Sequence, residues 1–179
     1  KFLALVNEFE DPNIVEIGTV RRDPADPDLP GDGNSTCVLA WYVKNYKGKL
    51  TAVDIAQASV DNCMKNLLKY DLLVPGRIDL KMEDGMKFLG EVSMPIHALY
   101  IDAYDWGPGD DEKKKSIEWH LEAFKLAESK LAPGALIMFD DNVGDNFLGK
   151  GQLAIPYALE SGNYEMLFKE YQVILRRKG

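Results

Sequence analysis

Apolar and polar positions along this chain follow two periods in turn. "NIVEIG" (13–18) and "KLTAVDI" (49–55) are short, mostly apolar runs of strand type, and "RIDLKM" (77–82) alternates apolar with polar. "IHALYID" (96–102) and "ALIMFD" (135–140) read as strands buried on both faces. Between these runs the period lengthens. "STCVLAWYVKNY" (35–46) predicts a helix with Ser35 or Thr36 as its N-cap. Val60, Cys63, Met64, Leu67 and Leu68 form a helical stripe stopped by Pro75-Gly76, and Ile117, Leu121, Phe124, Ala127 and Leu131 form another stopped by Pro133-Gly134. Strand and helix in alternation imply an open, doubly wound parallel sheet with helices on both faces. "YEMLFKEYQVILRRK" (164–178) departs from this: two strand-like runs stand too close for a crossover helix, so an antiparallel hairpin at the sheet edge is expected. No repeat or linker divides the chain. Residues 1–179 read as one α/β domain of seven strands, with a charged, proline-studded loop inserted at about 20–32.

Composition narrows the partners. A net charge of −8 and 28% charged residues argue against broad contact with a nucleic-acid backbone, which needs clustered Lys and Arg. No apolar run approaches the roughly 20 residues of a membrane span. Cys37 and Cys63 lack metal-ligand spacing and read as buried free thiols of a reducing compartment, so a cytoplasmic location is expected. The chain opens on Lys1 rather than Met, which leaves room for a preceding element. An oligomer stays open.

Ligands of open α/β sheets bind at the carboxyl ends of the strands. Here those ends carry Glu16 and Gly18, Asp54, Glu83-Asp84, Asp102, and Asp140-Asp141-Asn142. Any one such Asp could simply cap a helix, but a whole rim of acids repels itself unless a cation or a donor-rich ligand offsets it. Asp54 can accept both hydroxyl protons of a ribose. It lies further beyond Gly18 than the roughly 20 residues usual for that role. The excess is accounted for if Gly18 and Gly33 bracket a cofactor loop that carries the insertion.

With these residues in view, the chain resembles a class I S-adenosylmethionine (SAM)-dependent methyltransferase, a Rossmann-like fold. The resemblance rests on "VEIGT…GNST", "AVDI", "MEDGMKFL", "LYIDAYDW" and "LAPGALIMFDDN", in that order. It implies that Glu16 and Gly18 shape the loop around the methionine end, that Asp54 holds the ribose, and that Asp84 holds the adenine amino group between Met82 and Met86. Thr19, Gly33, Ser35, Ile55, Glu83, Gly85 and Asp102 join the implied cofactor contacts.

The second half is similar to the divalent-metal-dependent O-methyltransferases of the catechol and macrolide-sugar types. That likeness implies a Mg²⁺ held by Asp102 and Asp141, with Asp140 or Asn142 completing the site; hard oxygen donors of this kind suit Mg²⁺. Such a metal would acidify a hydroxyl on a small-molecule acceptor and hold it against the methyl donor. The catechol type carries a lysine base three residues after its first Asp, where this chain has Asp105. His120 and Lys150 then stand as candidate proton acceptors beside Asp102. His120 reads otherwise as an exposed helix residue, and Lys150, between Gly149 and Gly151, as part of a flexible turn. Tyr104 and Trp106 are placed to line an acceptor pocket. Three other readings remain: a methyltransferase without metal, a nucleotide-binding oxidoreductase, and a SAM-binding module without chemistry. The oxidoreductase lacks its compact G-x-G-x-x-G loop.

Overall fold

The computed structural model describes residues 1–22 and 34–179. Helix α1 (Phe2–Val6) leads into β1 (Asn13–Ile17), followed by α2 (Ser35–Asn45), β2 (Lys49–Asp54), α3 (Gln57–Lys69) and β3 (Ile78–Met82). The second half runs α4 (Gly85–Glu91), β4 (Ile96–Ile101), α5 (Asp110–Glu128) and β5 (Leu131–Phe139). It continues with a two-stranded hairpin of β6 (Asn142–Val143) and β7 (Leu148–Gly149), then α6 (Ala154–Glu160), β8 (Tyr164–Lys169) and β9 (Val173–Arg177). Seven strands form one sheet in the order β3-β2-β1-β4-β5-β9-β8. β9 alone is antiparallel to its neighbours, as the crowded 164–178 pattern implied.

Side-chain alternation in the strands sorts the core into two layers. Val15, Ile17, Leu99, Ile101, Ile137 and Phe139 pack on the face covered by α4, α5 and α6. Ile14, Ala98, Tyr100, Leu136 and Met138 pack on the opposite face with α1, α2 and α3. β1 thus lies between β2 and β4 at the point where the winding reverses, and the carboxyl ends of β1, β2 and β4 share one rim. No described helix is long and apolar enough to cross a membrane.

The departures from the sequence pattern have physical causes. The N-cap of α2 is Asn34, not Ser35 or Thr36, and it makes no side-chain cap bond. Leu131 is not the end of a helical stripe: α5 stops at Glu128 and Leu131 opens β5 opposite Ile96. Between the Ile96–Leu131 and Ala98–Leu136 pairs the register shifts, with Pro133 unable to donate and Gly134 at φ +75°. The buried face of α5 is also rotated, so that Ser116 and His120 are buried while Ile117 and Leu121 are only half-buried. Both polar groups find partners inside: Ser116 Oγ donates to the Tyr104 carbonyl at 2.8 Å, and His120 Nδ1 lies 2.7 Å from the Ser116 carbonyl. α1, α4 and α6, of 5, 7 and 7 residues, are too short to display a period and escaped sequence reading. The inserted loop falls from residue 23 to 33 outside the described residues. Its start is tied down: Val20 is buried, and the carbonyls of Arg21 and Arg22 accept hydrogen bonds from Asn62 and Asn66 of α3.

Leu175 of β9 is fully buried and faces Ile137 of β5 on one side and Met166 of β8 on the other. Leu175→Ala is therefore expected to lower stability by about 2–5 kcal/mol, the scale of a buried leucine truncation, as read from denaturant midpoints at unchanged slope.

Candidate active site

The rim is built first from backbone. Gly18 N donates to the Val53 carbonyl at 2.8 Å and Asp102 N to the Ile17 carbonyl at 2.9 Å, so the ends of β2, β1 and β4 are drawn together. Gly18 has φ +94°, and a Cβ there would lie 2.5 Å from the Asp102 carbonyl oxygen. No other residue can make that approach. Beyond Gly18 the chain turns over Asp54. Asp54 Oδ2 accepts from Thr19 N (3.1 Å) and Thr19 Oγ1 (3.2 Å), and Oδ1 accepts from Ala56 N (2.8 Å). The carboxylate is half-buried and fixed before any ligand arrives, with lone pairs still facing a cavity of about 450 Å³.

That cavity collects most of the residues expected to hold a cofactor. Gly18, Thr19, Asp54, Ile55, Asp84, Gly85 and Asp102 all line it. Asp84 also caps α4, accepting from Lys87 N at 2.9 Å, which aims its carboxylate and leaves the second oxygen uncommitted to the cap. Gly85 lets the helix close on the sheet: a Cβ there would come within 2.5 Å of Ile17 and 3.6 Å of Trp119. Trp119 forms part of the wall and was not singled out from sequence, because it lies off the apolar stripe of its helix. Met82 is exposed and Met86 packs against the core, so neither lines this cavity. Glu83 pairs with Lys87 at 3.2 Å and points away, and Gly33 lies outside the described residues.

Glu16 is placed differently from expectation. It faces the α2 side of the sheet, fully buried, and does not line the cavity. Among the described residues neither of its oxygens has a hydrogen-bond partner. Burial pushes its carboxyl up to about 8; the nearby hydroxyls of Ser35 and Thr36 oppose this, short of a well-formed bond, while Asp102 and Asp54 add to it.

The ends of β4 and β5 hold a second, polar cavity of about 270 Å³, lined by Asp102, Asp140, Asp141, Lys150 and Tyr171, with Arg21 and Ser35 at its margin. Lys150, expected in a flexible turn, is almost completely buried. Its ammonium lies 2.5 Å from Asp102 Oδ1 and 2.7 Å from Asp141 Oδ2. Asp141 also accepts from the Tyr171 hydroxyl. Tyr100 donates to Asp140, whose other oxygen accepts from Asp141 N at 2.9 Å, and the Tyr100 hydroxyl stands 3.3 Å from Asp102.

This geometry corrects the expected Mg²⁺ site. The point between Asp102 and Asp141 is taken by the ammonium of Lys150. Asn142 is no ligand: its Nδ2 donates to the carbonyls of Phe139 (3.0 Å) and Asp140 (2.9 Å), and its Oδ1 accepts from Gly151 N (2.8 Å). Asp140 is turned towards Tyr100 and Gln172. Among the described residues no three acidic, His or Cys side chains converge on a common cation. The residues present do not fit the metal.

Charges in the cluster shift accordingly. Burial raises the Asp102 carboxyl, with Lys150 opposing and Asp140 and Asp141 assisting. Asp141 also resists burial, but its bonds to Lys150 and Tyr171 prevail and hold it below the usual carboxylate range. Burial would lower Lys150; the two carboxylates outweigh it and keep the ammonium charged well above neutrality. His120 is corrected too, as it is neither exposed nor in either cavity. Burial brings it down to about 4, and Nε2 has no described partner, so it is a neutral core residue that lines neither cavity. Asp105, in the place of the absent lysine base, pairs with Arg21 at 2.7 Å. Tyr104 lines the first cavity, whereas Trp106 lies on a separate surface groove.

No protein-family model and no curated protein sequence matches this chain. Solved structures match it by fold. A Clostridium thermocellum protein assigned as an rRNA-methylase is 16% identical, with 98% of this chain and 94% of that one covered and a TM-score of 0.67. A Streptococcus mutans protein assigned as a methyltransferase, in complex with SAH, is 14% identical over 98% and 94% of the two chains, TM-score 0.63. A Klebsiella pneumoniae protein assigned as an O-methyltransferase is 16% identical over 99% and 79%, TM-score 0.68. At such identities the likeness establishes the fold, and the fold is that of the SAM-dependent methyltransferases, as the sequence resemblance implied.

The raised Glu16 carboxyl makes a pH test. Its folded value, about 8, lies above its ordinary 4.5, so its contribution to stability is full below 4.5 and is lost as pH rises through 8. Between those limits the unfolded chain has released the proton and the folded one keeps it, a slope of about −1.4 kcal/mol per pH unit. Glu16→Gln, neutral at every pH, is expected to flatten that part of the stability–pH curve and to gain on the wild type towards pH 8, in melts across pH 5–9.

Proposed function

We propose that this chain, which has the methyltransferase fold, is a SAM-dependent enzyme that transfers a methyl group to a hydroxyl oxygen of a small molecule. The observation that carries the reading is that the two cavities meet. Thr19, Arg21, Asp102 and Asp105 line both, so a ligand held at Asp54 and Asp84 has its far end directed at the polar cavity.

Bound SAM supplies an electrophilic methyl on a sulfonium, which the acceptor oxygen takes as the carbon–sulfur bond breaks and its electron pair goes to sulfur, leaving SAH. The chain's own part is positional and electrostatic. Asp54 offers its remaining lone pairs to the ribose hydroxyls, Asp84 its second oxygen to the adenine amino group, and Gly18 lets the backbone approach the methionine end. In the polar cavity Lys150 uses two of its three donors on Asp102 and Asp141, and the third suits an acceptor oxygen. The proton released from the acceptor hydroxyl has a carboxylate at hand in Asp102, whose carboxyl is raised by burial and which lines both cavities.

A small acceptor is supported by the size of the polar cavity and by the net charge of −8, which opposes a phosphodiester chain. A reducing, cytoplasmic setting is supported by the burial of the two thiols, Cys37 and Cys63. A purely structural role has no use for a carboxylate pre-oriented by three donors at a cavity wall, which argues against a module without chemistry.

Calorimetric titration with SAM tests the cofactor assignment. Asp54→Ala is expected to weaken SAM by about 2–3 kcal/mol, roughly 30- to 160-fold, the scale of lost charge-assisted hydrogen bonds. Unchanged affinity in that variant sinks the reading. With binding in hand, transfer of a labelled methyl from SAM to a panel of hydroxylated small molecules identifies the acceptor class.

A further inference from the structure

We infer that Lys150 is a resident cation. Its ammonium stands where a divalent metal would bridge the carboxylates at the ends of β4 and β5, and the chain needs no metal there. Three independent features of the chain build this arrangement. The first is contact: Nζ reaches Asp102 Oδ1 at 2.5 Å and Asp141 Oδ2 at 2.7 Å, with the lysine side chain only 3% exposed. A buried charge is tolerated only where its pairing geometry is good, and here both partners are anionic and within hydrogen-bond reach.

The second feature is delivery. Gly149 has φ +138°, and a Cβ on it would overlap the Asp141 carbonyl oxygen; a Cβ on Gly151 would overlap Ile155 and come within 2.6 Å of Asn142 Oδ1. Gly149 is therefore sterically required and a side chain at 151 would force Ile155 and Asn142 to shift, so the two press the lysine backbone against the strand end that carries Asp141. The β6–β7 pairing of Asn142 with Gly149 and the bond from Gly151 N to Asn142 Oδ1 lock the loop in that position. The third feature is what this does to the other donors. The Asn142 amide is consumed in bracing the loop, and Asp140 is held by Tyr100, so among the described residues Asp102 and Asp141 are the carboxylates left for a cation, and the ammonium already occupies both.

Removing the amine leaves Asp102 and Asp141 facing each other without a counter-charge, with space for an ion between them. Lys150→Ala should thus create the divalent site that the wild type excludes. Manganese(II) titrations followed by electron paramagnetic resonance, with melting temperature in parallel, test this. For the wild type, no stoichiometric Mn²⁺ is expected, and melting should be the same in chelator and in millimolar Mg²⁺ or Mn²⁺. For Lys150→Ala, a lower melting temperature is expected that rises again with Mn²⁺, together with one bound Mn²⁺ that is lost in Lys150→Ala/Asp141→Asn. Stoichiometric Mn²⁺ on the wild type that disappears in Asp141→Asn overturns the inference. So does a folded Lys150→Ala that takes up no more Mn²⁺ than the wild type. Lys150→Met keeps the apolar stem and replaces the alanine variant should that one not fold, and the wild-type titration decides by itself if neither does. The inference is separate from methyl transfer: loss of the SAM assignment leaves it standing, and Mn²⁺ on the wild type defeats it without touching SAM.

Discussion

The end of β1 is gripped from both sides, and the arrangement of the rim follows from that grip. Gly18 bonds to β2 and Asp102 bonds back to β1, and the absence of a side chain at 18 lets the two backbones lie closer than any Cβ would permit. A parallel sheet leaves its carboxyl ends open by default, because the crossovers depart from them. Here the grip turns three strand ends into one continuous surface. Asp54 is fixed on one flank by the turn at Thr19, and Asp102 on the other by the bond to Ile17. The two cavities are the spaces on either side of Asp102, and their shared wall is a direct result.

Concentrating acids on such a surface creates an electrostatic problem, which this chain solves in different ways along the rim. Asp54 is neutralised by backbone and hydroxyl donors, Asp84 by a helix terminus, and Asp105 by Arg21. Further in, where screening by water is reduced, Asp102 and Asp141 share one ammonium and Tyr100 links Asp102 to Asp140. Glu16 has no such partner among the described residues and keeps its proton. Among the more buried members of the rim, Asp102 and Asp141 depend on a full charge and Glu16 on a proton.

Strand ends were legible in the sequence because buried parallel strands are apolar runs and their polar terminators stand out, so Gly18, Asp54, Asp84 and Asp102 could be named before any coordinates. Chemistry that depends on tertiary fit was not. A lysine between two glycines reads as a mobile turn, since glycine is usually read for its freedom; at 149 that freedom is spent on one fixed, tightly packed conformation. An Asp-Asn pair after β5 reads as two ligands, whereas the amide is spent on its own loop. His120 falls on a helix in any reading, but only packing decides that the face carrying it turns inward with Ser116. Trp119 gave no signal, sitting outside the apolar stripe that would have marked it.

The sheet order has a consequence for how the molecule comes together. β8 pairs with β9 alone, and β9 is wedged between β8 and β5. When synthesis proceeds from the N-terminus, residues 164–169 emerge with no neighbour to bond, and Leu136 to Phe139 present an unpaired edge beside them. Both wait on residues 173–177. Until those arrive the nascent chain carries an exposed apolar ribbon of the sort chaperones attend to. The strand that comes late is the keystone, and Asp140 and Asp141 follow directly on the strand that it sets.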